Sequence, residues 1–318
     1  MLRRTSLLAL ACTVAAIGVQ PAAASQLIDR NATNIRFKIS RDGKAMVSYR
    51  AHGRAWDVLA WGAINALHPT AARPQVQFRI DRSGGWKTFG RKLRFRNACR
   101  PYDGPPLVHV VTACKAPDGS YWAIQRWRRA LPNLGFQAWL PDHRATALHL
   151  SHWTGELAVL EGYTDWVWSG RFHHIFGRLT YRGRPVHGFK TNQYGSRLDK
   201  YGALVYLDTF DSTYGRGWRR ENSFVTHRPT GVFCYTFRAR DPRSGGYSHP
   251  PGYRGGLRGP GNGEAYRLTV EGPGVTPDVK WEGKGLPRFN PQAPAHVTHE
   301  QEMNAKLDSF GDRLCRKH

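Results

Sequence analysis

Between Glu156 and Glu221 the chain concentrates side chains that can recognise or react. Trp153 just ahead of it, and Tyr163, Trp166, Trp168, Phe172, Phe176, Tyr181, Phe189 and Tyr206 within it, interleave with Arg171, His173, His174, Arg178, Arg182 and Arg184. Aromatic faces can stack on sugar rings, and guanidinium or imidazole groups can hold acidic substituents. The pattern therefore predicts a ligand surface built from Trp166, Trp168, Arg171, His173, His174, Arg178, Tyr206 and Arg219. Strand alternation would turn Phe172, His174 and Phe176 to one side and His173, Ile175 and Leu179 to the other. The competing structural account is that these aromatics fill a β core, since the chain has only 3 Met to supply bulk.

Catalytic readings rest on His173, His174, Asp208 and Glu221, with Glu161, Asp165 and Asp211 as further carboxylates. A glycoside hydrolase needs two carboxyl groups at a set separation, and a lyase needs a base near a neutralised uronate. Acids are scarce and arginines abundant, so salt bridging is the simpler role for each acid. Neither a Gly-x-Ser-x-Gly elbow nor a His-Glu-x-x-His motif is present. His149 and His152 fall on opposite faces of a strand, which argues against their chelating one metal. His296, His299 and Glu300 read as a solvated helix start. No metal and no cofactor are expected.

The compartment follows from the start of the chain. Arg3 and Arg4 precede an apolar run from Leu7 to Val19, and Ala22-Ala23-Ala24 supplies a small-residue cleavage site before Ser25. Residues 1–24 are expected to be a cleaved signal peptide, because the apolar run of about thirteen residues is shorter than a bilayer span. The product is then secreted or held in the cell envelope, without a stable membrane anchor. Cys12 leaves with the leader. The four remaining cysteines predict two disulfides in an oxidising compartment. Cys99 and Cys114 flank the turn-rich Arg100–Pro106 segment, which favours a local bridge and leaves Cys234 to Cys315. Without a Cys-x-x-Cys pair, a zinc site is disfavoured.

The charge balance is 47 basic against 23 acidic residues, a net charge of +24. Such a chain attracts polyanions. The basic residues are spread out and not gathered into a tail or recognition helix, which excludes nucleic acid as the favoured partner. An acidic polysaccharide or cell-wall polymer fits better. The Arg-rich, Ala-, Gly- and Pro-rich composition is also what a GC-rich bacterial genome would give.

Period-two apolar segments separated by Gly, Pro, Asn and Asp recur along the chain. Ile35–Ile39 and Met46–Tyr49 form a hairpin pattern, and further strands are expected from Val76 through Glu271. The predicted fold is all-β: an antiparallel sandwich or barrel, jelly-roll-like or lipocalin-like. Residues 25–318 form one β-rich domain or two packed β subdomains with a boundary near 130–145. The segment Ala55–Leu67 is ambiguous between strand and helix. Glu271–Pro294 reads as surface coil, and 241–263 as a long loop. A C-terminal amphipathic helix within 295–318 carries Met303, Leu307, Phe310 and Leu314 on one face, with Thr298 and Gln301 as a capping box. The resulting expectation is a secreted, non-catalytic glycan or polyanion binder. The alternatives are a polysaccharide-active lyase or hydrolase, and a lipocalin-like carrier.

Overall fold

A computed structural model describes residues 25–62, 66–74, 78–89, 95–128, 145–164, 167–168, 171–172, 174–190, 204–212, 215–216, 222–236, 265–273, 275–283 and 290–315. Among the described residues the chain is all-β apart from a C-terminal helix and one short helical turn, and its strand ladders are antiparallel. Four sheets of four or five strands pack in two pairs, and no sheet closes into a barrel among the described residues.

The first pair draws on residues before 154. One sheet joins Thr33–Ile39, Ala45–Ala51, Arg54–Trp61 and Arg79–Asp81 in sequential order. The other orders Gln26–Arg30, Thr146–Trp153, Tyr121–Arg128 and Val110–Lys115. Ile39, Val47, Tyr49, Val58, Trp122, Ile124, Leu148 and Leu150 fill the space between them. Along Ala45–Ala51 every second residue, Ala45, Val47, Tyr49 and Ala51, enters that core, as the alternation of a strand requires. The Cys99–Cys114 disulfide fastens its edge. Ala55 to Trp61 is strand, not helix: its apolar residues follow a face that pairs with Ala45–Ala51.

The second pair draws on residues after 158. His174–Tyr181 is flanked by Val159–Thr164 and Val232–Thr236, and Leu204–Ser212 by Asn222–Val225 and Ala265–Val270. Ile175, Leu179, Val205, Leu207, Phe233, Leu268 and Val270 form their common core. The opposite face of His174–Tyr181 presents Phe176 to Leu307, Met303 and Phe310 of the terminal helix. Both faces of this strand are therefore buried, which is why Gly177 is needed. A Cβ there would lie 2.1 Å from the Glu161 carbonyl oxygen and 2.5 Å from Phe233.

Sheet membership changes between Thr146–Trp153 of the first pair and Val159–Thr164 of the second. Val279–Gly283 is a strand paired with Ala265–Val270, where coil was expected. The terminal helix runs Pro294–Ser309, earlier than the predicted cap. Ala293 is its N-cap residue and Pro294 opens it, a position where a missing N–H costs little, so Thr298 and Gln301 lie inside the helix. Leu314 lies beyond the helix and is 53 % exposed, so it does not belong to the apolar face. No described helix is long and apolar enough to cross a membrane.

The Cys234–Cys315 disulfide closes the chain end onto this second pair. In the loop-entropy picture its 81-residue separation contributes roughly 4.5 kcal/mol, against about 3 for the 15-residue bridge. Beside it, Asp312 accepts hydrogen bonds from His227 Nδ1 at 3.1 Å and from the Leu314 and Cys315 backbone N–H groups at 2.8 and 3.0 Å. Thr230 Oγ1 donates to its other oxygen. Burial alone would raise the Asp312 carboxyl. The hydrogen bonds from His227 and Thr230 and the His227 charge outweigh it and hold the pKa at about 2.

Candidate functional site

Two polar clusters lie where the sheet pairs meet, and the strand Thr146–Trp153 contributes to both. The first is sealed. Ser25 Oγ lies 2.8 Å from His149 Nδ1 and donates to Asp278 Oδ1 at 3.0 Å. Gln125 donates to the Val108 carbonyl at 2.8 Å and accepts from the Asp278 N–H at 2.9 Å. His149 packs its ring 4.0 Å from Trp127. Serine, histidine and aspartate are the residue types of a hydrolytic triad, but here the serine hydroxyl sits between imidazole and carboxylate. A triad needs the imidazole in the middle. Ser25, Gln125, His149 and Asp278 are each no more than 3 % exposed. The cluster pins the 275–278 segment to the first sheet pair and offers no route for substrate.

The second cluster is open. A cavity of about 180 Å³ is lined by Ala66, Leu67, Arg73, His152, Trp153, Thr154, Tyr181, Arg182 and Val275. Arg73 is set by a tight turn in which Thr70 and Arg73 exchange backbone hydrogen bonds of 2.8 and 3.1 Å. Its Nη2 donates to the His68 carbonyl at 2.5 Å, while its buried Nε meets no acceptor among the described residues. Arg182 occupies the tip of the Tyr181–Arg184 hairpin, where Arg182 and Gly183 have φ of 51° and 69°. This two-residue turn demands left-handed backbone, which suits Asn or Gly and costs an arginine about 1 kcal/mol. The guanidinium donates to the Thr154 carbonyl at 3.0 Å and covers the Tyr181 ring at 5.2 Å. Neither arginine has an ion-pair partner among the described residues. Trp153 is 1 % exposed and its Nε1 also lacks an acceptor there.

His152 completes the lining. Its ring stacks on Trp122 at 3.9 Å, Nδ1 faces the Gly62 carbonyl at 3.2 Å, and Nε2 faces Ser120 Oγ at 2.8 Å. Ser120 in turn bonds Asp118 at 2.7 Å. Burial lowers the His152 pKa, partly opposed by the Gly62 carbonyl and the Asp118 charge. The site is thus rich in donors, has no carboxylate among its described lining residues, and combines two guanidinium groups with aromatic and aliphatic walls. Chemically it suits an acceptor-rich anion with an apolar face. A separate, shallower groove lined by Trp56, Ile80, Arg82 and Lys87 adds basic surface on the first sheet pair, with Arg54 4.7 Å over the Trp56 ring. Asp81 at its floor is engaged by the N–H and hydroxyl of Ser83.

Of the residues predicted as ligand-binding, Arg178 pairs with Glu161 at 3.0 Å and lies 4.7 Å over Phe310, beneath the terminal helix. Tyr206 is 3 % exposed, on the strand Leu204–Ser212. Trp168 and Arg171 face each other in a two-stranded ribbon, and His174 and Asp208 are placed in strands, by backbone alone. Trp166, His173, Arg219 and Glu221 lie outside the described residues. His149 and His152 do lie on opposite faces, as their spacing required. The two polar clusters escaped the sequence reading because they join distant segments: Ser25 and Asp278 are 253 residues apart. Only Trp153, Tyr181 and Arg182 fell within the aromatic and basic region that the sequence singled out. His227, Asp312 and Cys315 offer metal-ligand atoms within 4.8 Å of one another, but the Cys315 sulfur is bonded to Cys234 and Asp312 holds the chain end. Compared with known proteins, the chain matches no family model, no curated protein and no solved structure.

Proposed function

We propose that this is an exported, non-catalytic protein that binds an acidic glycan or related envelope polyanion, with the cavity between the sheet pairs as its specific binding point. The observation that carries the reading is the set of donors at Arg73, Arg182 and Trp153, which meet no carboxylate among the described residues that line the cavity, with Arg73 Nε and Trp153 Nε1 buried and without an acceptor there. Buried donors without acceptors cost about 1–3 kcal/mol each, and an anionic ligand would return that. The net charge of +24 concentrates such ligands near the surface. Two disulfides and the leader-like residues 1–24 support export. The non-catalytic reading is supported by His152, whose two ring nitrogens already face a carbonyl and a serine hydroxyl.

Binding of the mature chain to a panel of acidic and neutral polysaccharides, followed against salt, tests this. Acidic polymers should bind, and weaken with salt as the Debye length falls below ~8 Å. The Arg73→Gln, Arg182→Asn double variant should lose about tenfold or more in affinity, while Arg36→Gln with Arg50→Gln should change it far less. Equal losses from both pairs would mean diffuse attraction and no site. Release of reducing or unsaturated ends would replace the binding reading with an enzymatic one.

A further inference from the structure

We propose that the cavity between the sheet pairs takes a single carboxylate-bearing sugar ring, so that the protein recognises an acidic glycan at its end and not along its length. The inference rests on the binding reading above and narrows it. Size comes first. At about 180 Å³ the cavity lies below the usual ~300–1,000 Å³ of drug-sized ligand sites, which leaves room for about one small ring and none for a polymer segment threading through.

Chemistry comes second. A guanidinium fork matches a planar carboxylate, and Arg73 has a buried Nε with no acceptor among the described residues. The Trp153 indole N–H, on a side chain 1 % exposed, is a second donor without an acceptor among the described residues. The Thr154 carbonyl that borders the cavity already accepts from Arg182, at 3.0 Å, and from Tyr181, at 3.4 Å. The open valences at this place are therefore those of donors. The Tyr181 and Trp153 rings with Leu67 and Val275 provide apolar wall for the C–H face of a sugar. Bare inorganic anions would satisfy the donors but leave that wall in water.

Backbone conformation is the third observation, independent of the first two. Arg182 keeps an arginine where the hairpin turn favours Asn or Gly, at φ 51°. Strained positions that persist mark places where the side chain is needed. Arg182 is exposed beside the cavity and has no ion-pair partner among the described residues, so its guanidinium is available to close over a bound acid.

Calorimetric titration of the mature, oxidised chain with glucuronate, glucose, sodium sulfate, and glucuronate oligomers of increasing length tests the proposal. End recognition predicts that glucuronate alone binds and that affinity per molecule changes less than about threefold with oligomer length. It also predicts that glucose and sulfate compete at least tenfold more weakly. Arg182→Asn, which suits the turn, should fold normally by its thermal transition and lose tenfold or more in glucuronate affinity. Oligomers that bind only when long, with no monomer binding, would overturn end recognition and leave the polyanion reading standing. Sulfate binding as tight as glucuronate would reduce the cavity to a generic anion site and overturn the sugar assignment. No binding of any acidic polymer would remove the functional reading itself.

Discussion

Two clusters on one strand, the sealed group at His149 and the open cavity at His152, use similar residue types to opposite ends. In the sealed group the polar atoms of Ser25 and Gln125 find partners across the junction, and the exposed fractions fall to 3 % or less. In the cavity, donors of Arg73 and Trp153 are buried without acceptors among the described residues, and Arg182 holds a strained turn. Residue identity would have favoured the first as a site, because it contains serine, histidine and aspartate. Access reverses the choice. The first group is sealed and ties two distant segments together, even though Trp127 Nε1 beside it meets no acceptor among the described residues. The cavity is open, and its unmet groups are donors.

The comparison breaks most visibly if the sealed group is opened. Gln125→Leu keeps the size of the side chain but strands the Asp278 N–H and the Val108 carbonyl in a site that is 0 % exposed at residue 125. Each orphaned group costs about 1–3 kcal/mol, so a loss of roughly 3 kcal/mol is expected in denaturant unfolding. Affinity for an acidic ligand, measured on the folded fraction, should be unchanged. A loss below about 1 kcal/mol would show that the group is not the lock described above.

The C-terminal latch extends the comparison to a satisfied carboxylate that titrates. Asp312 has its pKa held at about 2, below its ordinary 3.8, so the unfolded chain takes up the proton first as acid is added. Its stabilisation is complete above about pH 4 and is lost as the pH falls from there towards 2; the whole amounts to about 2 kcal/mol. Asp312→Asn should therefore be less stable than the parent at pH 6, with the gap narrowing over that window. A gap that persists unchanged at pH 2 would show that the carboxylate charge is not what holds the latch.

Much of this fold was legible because it depends on short-range pattern. The hairpin of Thr33–Ile39 with Ala45–Ala51 follows from alternation and the Asp42-Gly43 turn, and both disulfides follow from cysteine count and the turn-rich loop between Cys99 and Cys114. The strand Val279–Gly283 was hidden by the Pro and Gly residues around it, and only pairing with Ala265–Val270 makes it a strand. The helix start was hidden by a capping-box pattern, although Pro294 marked the first turn. Nothing in local spacing could reveal the cavity. It collects the turn at Arg73, the end of the strand at Trp153, the hairpin tip at Arg182 and the loop at Val275, and what makes them one site is the packing of two sheet pairs.

His152 offers the finest test, because protonation should act on stability and on binding with opposite signs. Its ring is faced by Trp122, Ser120, the Gly62 carbonyl and the Asp118 charge, with Arg73 and Arg182 lining the same cavity. The serine hydroxyl has one hydrogen, to give either to Asp118 or to Nε2. A neutral His152 takes it at Nε2, and a charged one releases it to Asp118. Since burial places the folded pKa below the ordinary 6.5, the unfolded chain binds this proton more readily. The contribution to stability is thus present above about pH 6.5 and declines as the pH falls through it. An anion in the cavity favours the charged imidazole, and by reciprocity protonation tightens the anion. Acidification from pH 7.5 to 5.5 should then lower the thermal transition of the free protein while raising glucuronate affinity. His152→Gln should flatten both slopes. If binding and stability fall together, or if the variant keeps the parent's pH profile, His152 does not sense the ligand and the cavity acts through its arginines alone.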